Sequence, residues 1–116
     1  MPTVTLYHNP RCSKSRATLE LLQENGVEPH IRRYLDEPLS EAEIRILLEK
    51  LNVTPIEMMR TKEAEFKELG LSKDSDDLAL IAAMVSTPKL IERPIAEIET
   101  AAAIGRPPEN VLELLV

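Results

Sequence analysis

The stretch VTLYHNPRCSKSRATLELLQENG, residues 4–26, decides the fold. Residues 4–8 alternate in side-chain type and predict a short strand, which Pro10 ends because proline cannot donate to a strand ladder. Residues 13–25 carry apolar side chains at helical spacing, and Gly26 follows where a helix often ends in the left-handed conformation. The side chains that we expect to form the buried stripe of this helix are Ala17, Leu21 and Leu22.

Further strands are predicted on both sides of the middle of the chain. A strand at 30–34 completes a strand–helix–strand unit of about thirty residues, which is typical of a parallel βαβ pair. Near the other end, short apolar runs at 94–98 and 101–104 predict an antiparallel hairpin, and residues 109–115 predict a final helix.

Residues 40–86 between these parts are predicted to be helical. Ser40 with Glu43, and Thr54 with Glu57, match the capping box that opens a helix. A later helix is expected to be capped by Ser75, and the side chains that it is expected to bury are Leu78, Ile81, Ala82 and Val85.

The order of these elements is β, α, β, a helical insertion, β, β and α, which is the thioredoxin order with an insertion between its halves. We therefore predict the α/β class, with a mixed four-stranded thioredoxin-like sheet and flanking helices. Residues 1–116 would form a single domain, and residues 40–86 would be the insertion within it.

The composition limits the function. The chain has 116 residues, which fits one domain, and 14 basic residues against 20 acidic ones give a net charge of −6. This acidic balance argues against nucleic-acid binding, which depends on clustered basic residues. We expect neither a membrane span, which needs about 20 consecutive apolar residues, nor a signal peptide, and therefore predict a cytoplasmic location. No His, Asp and Glu set has metal-ligand spacing, so no metal and no bound cofactor are expected.

The single cysteine, Cys12, lies between the first strand and the first helix. One interpretation is a small buried residue at a strand end. The other is a reactive thiolate, because helix starts and nearby cations lower the pKa of a thiol. The same features bind a tetrahedral oxyanion, and the side chains predicted to do so are Arg11, Ser15 and Arg16. Because Ser15 stands where a Cys-x-x-Cys pair would have its second cysteine, turnover would need an external thiol.

With these residues in view, the chain resembles the glutaredoxin-coupled arsenate reductase family. The stretches that carry the resemblance are Tyr7-His8-Asn9-Pro10-x-Cys12-x-x-Ser15-Arg16, Met59-Arg60, Glu92-Arg93-Pro94-Ile95 and Gly105-Arg106-Pro107. The resemblance implies that Cys12 attacks arsenate and forms an arsenic–sulfur adduct. Glutathione would then act as co-substrate and attack the adduct, and glutaredoxin would resolve the mixed disulfide as arsenite leaves.

The resemblance also implies roles for further residues. The oxyanion-binding arginines would be Arg60, Arg93 and Arg106, and His8 would help to keep the cysteine ionised. The Arg93–Pro94 bond would form the cis-proline turn that faces the cysteine.

Two alternatives remain open. The Arg93-Pro94-Ile95 element also resembles the Spx-like redox regulators that bind RNA polymerase, although Ser15 replaces the second cysteine of their usual switch. Alternatively, the same thiol could reduce a different oxyanion or a mixed disulfide.

Overall fold

A computed structural model describes residues 3–115. They divide into two compact units, one formed by the residues up to Glu37 together with those from Arg93 onward, and the other by Pro38–Glu92. The second unit is longer at both ends than the predicted insertion at 40–86. Within residues 3–115, no helix is both long and apolar enough to cross a bilayer.

The first unit contains the mixed four-stranded sheet that the sequence predicts. Its strands are β1 (Thr5–Tyr7), β2 (His30–Arg32), β3 (Ile95–Glu97) and β4 (Ala102–Ile104), in the spatial order β2-β1-β3-β4. β1 and β2 are parallel, and the other two pairs are antiparallel. Both the βαβ pair and the hairpin are therefore confirmed, with strands shorter than predicted.

Two helices belong to this unit. Helix α1 (Ser13–Glu24) ends at Asn25, and Gly26 follows with a φ of 78°, a conformation that glycine adopts without steric cost. The final segment, Pro108–Leu115, is a 3-10 helix rather than an α-helix. The shared apolar core comes from β1, α1, β3, this segment and residues next to β1 and α1. Its buried members are Val4, Leu6, Leu22, Val27, Ala96, Val111 and Leu114.

The predicted buried stripe of α1 is wrong in two of its three members. Ala17 is exposed and Leu21 only half-buried, whereas the polar residues Ser15 and Thr18 are fully buried beside Leu22. Thr18 can be buried because its hydroxyl donates to the Lys14 carbonyl at 2.8 Å, and a buried polar group with a partner avoids most of the desolvation cost.

The second unit is helical. It contains α2 (Glu41–Leu51), a 3-10 helix (Pro55–Met58), α3 (Ala64–Glu68), α4 (Asp77–Ser86) and a 3-10 helix (Pro88–Leu90). Both predicted capping boxes form, at Ser40 and at Thr54.

The predicted cap of α4 is wrong by one residue, and of its four predicted buried side chains only Ile81 is buried. Asp76, not Ser75, caps the helix by accepting the Ala79 N–H at 3.0 Å. The buried side chains are Leu80, Ile81, Ala83 and Met84, and Leu78 is 65% exposed. The helix is apolar around most of its surface, so periodicity alone could not identify the buried face.

The sheet register brings distant residues to one end of the sheet. In the hairpin, Ile95 pairs with Ile104, so the same register continued beyond the strands places Arg93 opposite Arg106. Tyr7 pairs with Arg32 on one side, which sets His8 beside Arg33. The loop after β1 therefore lies near residues that flank the other three strands.

Gly105 lies where the chain has no room for a side chain. A Cβ at this position would lie 2.7 Å from Thr18 Oγ1 and 2.8 Å from Pro94 Cγ. We expect Gly105→Ala to lower the free energy of unfolding by about 1–3 kcal/mol because of this overpacking. Urea denaturation measures the change, and a variant as stable as the original chain would contradict the close approach.

Candidate active site

The nucleophile position is set by the loop between β1 and α1. The Cys12 N–H donates to the Asn9 carbonyl at 3.0 Å, which closes a tight turn directly before the helix. Cys12 occupies the N-cap position with extended backbone angles and is 8% exposed. The thiol therefore lies where the first N–H groups of α1 lack partners within the helix.

Two arginines adjoin this thiol. Arg106 Nη2 is 3.9 Å from Cys12 Sγ, and Arg106 Nε donates to the Arg93 carbonyl at 2.7 Å. Burial disfavours the cationic form of Arg93, but the neighbouring Cys12 thiol and Tyr34 hydroxyl outweigh this effect and raise the pKa of Arg93. The Arg93–Pro94 bond is cis, as the resemblance implies, and the Arg106–Pro107 bond is also cis.

Opposing influences set the pKa of Cys12. Burial raises it, whereas the Arg93 guanidinium and the backbone N–H groups of Ser15 and Lys14 lower it. The net effect is a pKa below the ordinary thiol value. The structure thus favours the thiolate that the sequence predicts. The compensating side-chain charge comes from Arg93, 81 positions further along the chain.

Hydrogen bonds between uncharged groups hold the loop between β1 and α1 in place. Ser15 is 0% exposed, and its hydroxyl lies 2.6 Å from His8 Nδ1 and accepts the Asn9 N–H at 3.0 Å. Burial, and then the charge of Arg33, lower the pKa of His8, so the ring is neutral at pH 7. Within residues 3–115, His8 has no hydrogen bond to Cys12, and Ser15 lies inside the fold rather than in the exposed loop.

The basic residues flanking Cys12 are arranged differently from the expectation. Arg11 and Arg16 are both exposed, and Arg16 Nη1 is 3.4 Å from the Pro10 carbonyl. Neither is among the groups that lower the pKa of Cys12. Their predicted contact with an oxyanion stays a prediction.

Arg60, the third predicted arginine, belongs to the second unit. Its guanidinium pairs with Glu63, and Lys89 Nζ lies 3.5 Å from the same carboxylate. Its backbone N–H donates to the Leu90 carbonyl at 2.7 Å. Its predicted role stays a prediction.

Two features of the site lie outside the sequence prediction. Tyr34 is almost fully buried and acts on Arg93, although nothing in the local pattern marks it as more than a structural residue. Arg93 Nε is also buried, and no residue in the described range accepts a hydrogen bond from it. Both features follow from the register of the sheet. That register depends on pairing between residues far apart in the sequence, so the local sequence does not show it.

The fold and site define a thioredoxin-like α/β protein whose single cysteine lies at a helix start beside two arginines. The chain belongs to the ArsC family, whose sequence model matches residues 7–114. It is 54% identical to YfgD of Escherichia coli K12, over 97% of this chain and 96% of that protein. It is 44% identical to an arsenate reductase of Neisseria meningitidis serogroup A, over 99% and 100% of the two chains. The solved structure of an arsenate reductase from Vibrio cholerae superimposes with a TM-score of 0.92 at 47% identity, covering 97% of each chain.

Replacing Arg93 by Met should raise the pKa of Cys12, because the substitution removes the side chain that most favours the thiolate. The chain has one cysteine, so the pH dependence of alkylation by iodoacetamide reports this thiol alone. Arg16→Gln is the matched control, since it removes an equal charge that does not act on the thiol. Identical pH profiles for the two variants would contradict the assignment.

Proposed function

We propose that this protein is an arsenate reductase that uses Cys12 as its nucleophile. The observation that carries the proposal is the arrangement of one thiolate-favouring cysteine with Arg93 and Arg106. Arg93 Nε is buried, and no described residue accepts a hydrogen bond from it. This N–H group is therefore a donor suited to an oxyanion oxygen. The arsenate reductases among the relatives support arsenate as the substrate.

The arginines answer an electrostatic problem. Arsenate and a thiolate are both negative, so their approach is repulsive unless positive charge offsets it. Guanidinium groups stay charged at physiological pH and offer several donors in a fixed plane, which suits a tetrahedral oxyanion. Arg93 and Arg106 supply these donors at Cys12, and we propose Arg60 as a third ligand on the family resemblance.

The first step is a substitution at arsenic. Cys12 Sγ forms a bond to arsenic, and one arsenate hydroxyl group takes up a proton from solvent and leaves as water as its bond to arsenic breaks. Arsenic stays pentavalent in this step, and the charge that builds on the remaining oxygens is stabilised by the arginine donors.

The second step is the reduction, and its electrons come from an external thiol because the chain has one cysteine. We propose glutathione. Its sulfur attacks Cys12 Sγ, the electron pair of the sulfur–arsenic bond passes to arsenic, and trivalent arsenite leaves. The resulting mixed disulfide is attacked at its glutathione sulfur by glutaredoxin, which releases the Cys12 thiolate. A cytoplasmic location fits this chemistry, since unpaired thiols persist in reducing compartments.

Replacing Cys12 by Ser should abolish arsenite formation, because the hydroxyl cannot form the adduct or the mixed disulfide. The measurement is arsenite release, coupled to NADPH oxidation, with arsenate, glutathione, glutaredoxin and glutathione reductase. A reaction mixture without arsenate is the control. NADPH oxidation that is indifferent to arsenate would instead support a mixed-disulfide reductase, and full activity of C12S would refute the mechanism.

Arg106→Lys keeps the charge but loses the planar donors that reach both the Arg93 carbonyl and Cys12 Sγ. We expect kcat/KM for arsenate to fall about tenfold to a hundredfold. The alkylation profile of Cys12 should change less than in Arg93→Met, since lysine keeps the positive charge near the thiol. Unchanged arsenate kinetics would remove Arg106 from the oxyanion site.

A further inference from the structure

A cleft of about 430 Å³ borders the loop that carries Cys12. Its walls are His8, the loop residues 9–11, and Arg33, Leu35 and Asp36 from the segment after β2. Arg93 and Arg106 are not among its lining residues, and Arg11 is the one lining residue that the sequence also predicts to contact the oxyanion.

The cleft carries two positive charges and one negative charge. Among residues 3–115, the side chains of Arg11, Arg33 and Asp36 form no ion pair and no hydrogen bond with one another or with other residues. Leu35, beside them, is 45% exposed. The charges are thus available to a ligand of the opposite pattern, with two carboxylates and one ammonium group.

We infer that this cleft binds glutathione and presents its sulfur to Cys12. The inference rests on the proposed function, which requires an external thiol. Glutathione has two carboxylates, one ammonium group and a short thiol-bearing side chain between them. Arg11 and Arg33 would pair with the carboxylates and Asp36 with the ammonium, while Leu35 contacts the aliphatic part.

The distances permit this transfer. An extended tripeptide spans about 10 Å at roughly 3.3–3.6 Å per residue. The hydrogen bond from the Cys12 N–H to the Asn9 carbonyl closes a turn whose end Cα atoms are within about 7 Å. A tripeptide seated against residues 9–11 therefore has the reach to bring its sulfur to Cys12.

The test uses thiol–disulfide exchange, which needs no arsenate. The Cys12 thiolate attacks oxidised glutathione, one S–S bond breaks, and one glutathione leaves as a thiolate. The rate of Cys12 modification by oxidised glutathione is compared with the rate for hydroxyethyl disulfide, which is neutral. The variants are Arg33→Met and Asp36→Asn, and Arg45→Met is the control, since Arg45 is an exposed arginine of the second unit paired with Glu41.

We expect Arg33→Met and Asp36→Asn to slow the reaction with oxidised glutathione about threefold to tenfold, with hydroxyethyl disulfide unaffected. The neutral disulfide also checks that the variants are folded. Equal losses with both disulfides, or no loss with either, would overturn the inference.

A second measurement separates this inference from the arsenate reaction. In the coupled assay, Arg33→Met should raise the KM for glutathione and leave the KM for arsenate unchanged. If the protein reduces no arsenate but still discriminates between the two disulfides as described, the arsenate proposal fails and the cleft assignment stands. If arsenate is reduced and the discrimination is absent, the cleft assignment fails alone.

Discussion

Burial opposes the ionisation of the Cys12 thiol, and neighbouring groups of the site offset the free energy that burial costs the thiolate. A buried charge needs a partner, and this chain provides one in Arg93 together with the N–H groups at the start of α1. The two contributions differ in origin. The N–H groups belong to residues that directly follow Cys12 in the sequence. The guanidinium belongs to Arg93, which only the folding of the chain brings close to Cys12.

The mixed sheet brings Arg93 close to Cys12. A parallel β1–β2 pair needs α1 as its crossover, which sets Cys12 at the end of β1 where the helix begins. The antiparallel β3–β4 hairpin then brings Arg93 and Arg106, 13 positions apart, into hydrogen-bond contact. Gly105 permits this approach because its missing side chain leaves room for Pro94. Strand direction and register thus determine where the positive charges of Arg93 and Arg106 lie.

Much of the fold could be predicted because its signals are local. The capping box at Ser40, the glycine after α1 and the alternation of the hairpin each act over a few residues. The buried face of α1 could not be predicted from an apolar pattern, because Ser15 and Thr18 are buried with hydrogen bonds that the pattern does not show. The same limit applies to the site. Cys12 is marked by its neighbours, whereas its link to Arg93 depends on long-range pairing.

The polar groups around the loop divide into two kinds. Ser15, His8 and the Asn9 N–H form a buried network that is neutral at pH 7, so it fixes the loop without adding charge beside the thiolate. The side-chain charge that lowers the pKa of Cys12 therefore comes from Arg93 and not from the exposed flanking residues Arg11 and Arg16. This arrangement explains how a chain with a net charge of −6 holds a locally positive centre beside Cys12. The overall charge describes the solvated surface, while the site depends on which guanidinium groups the sheet places at one helix start.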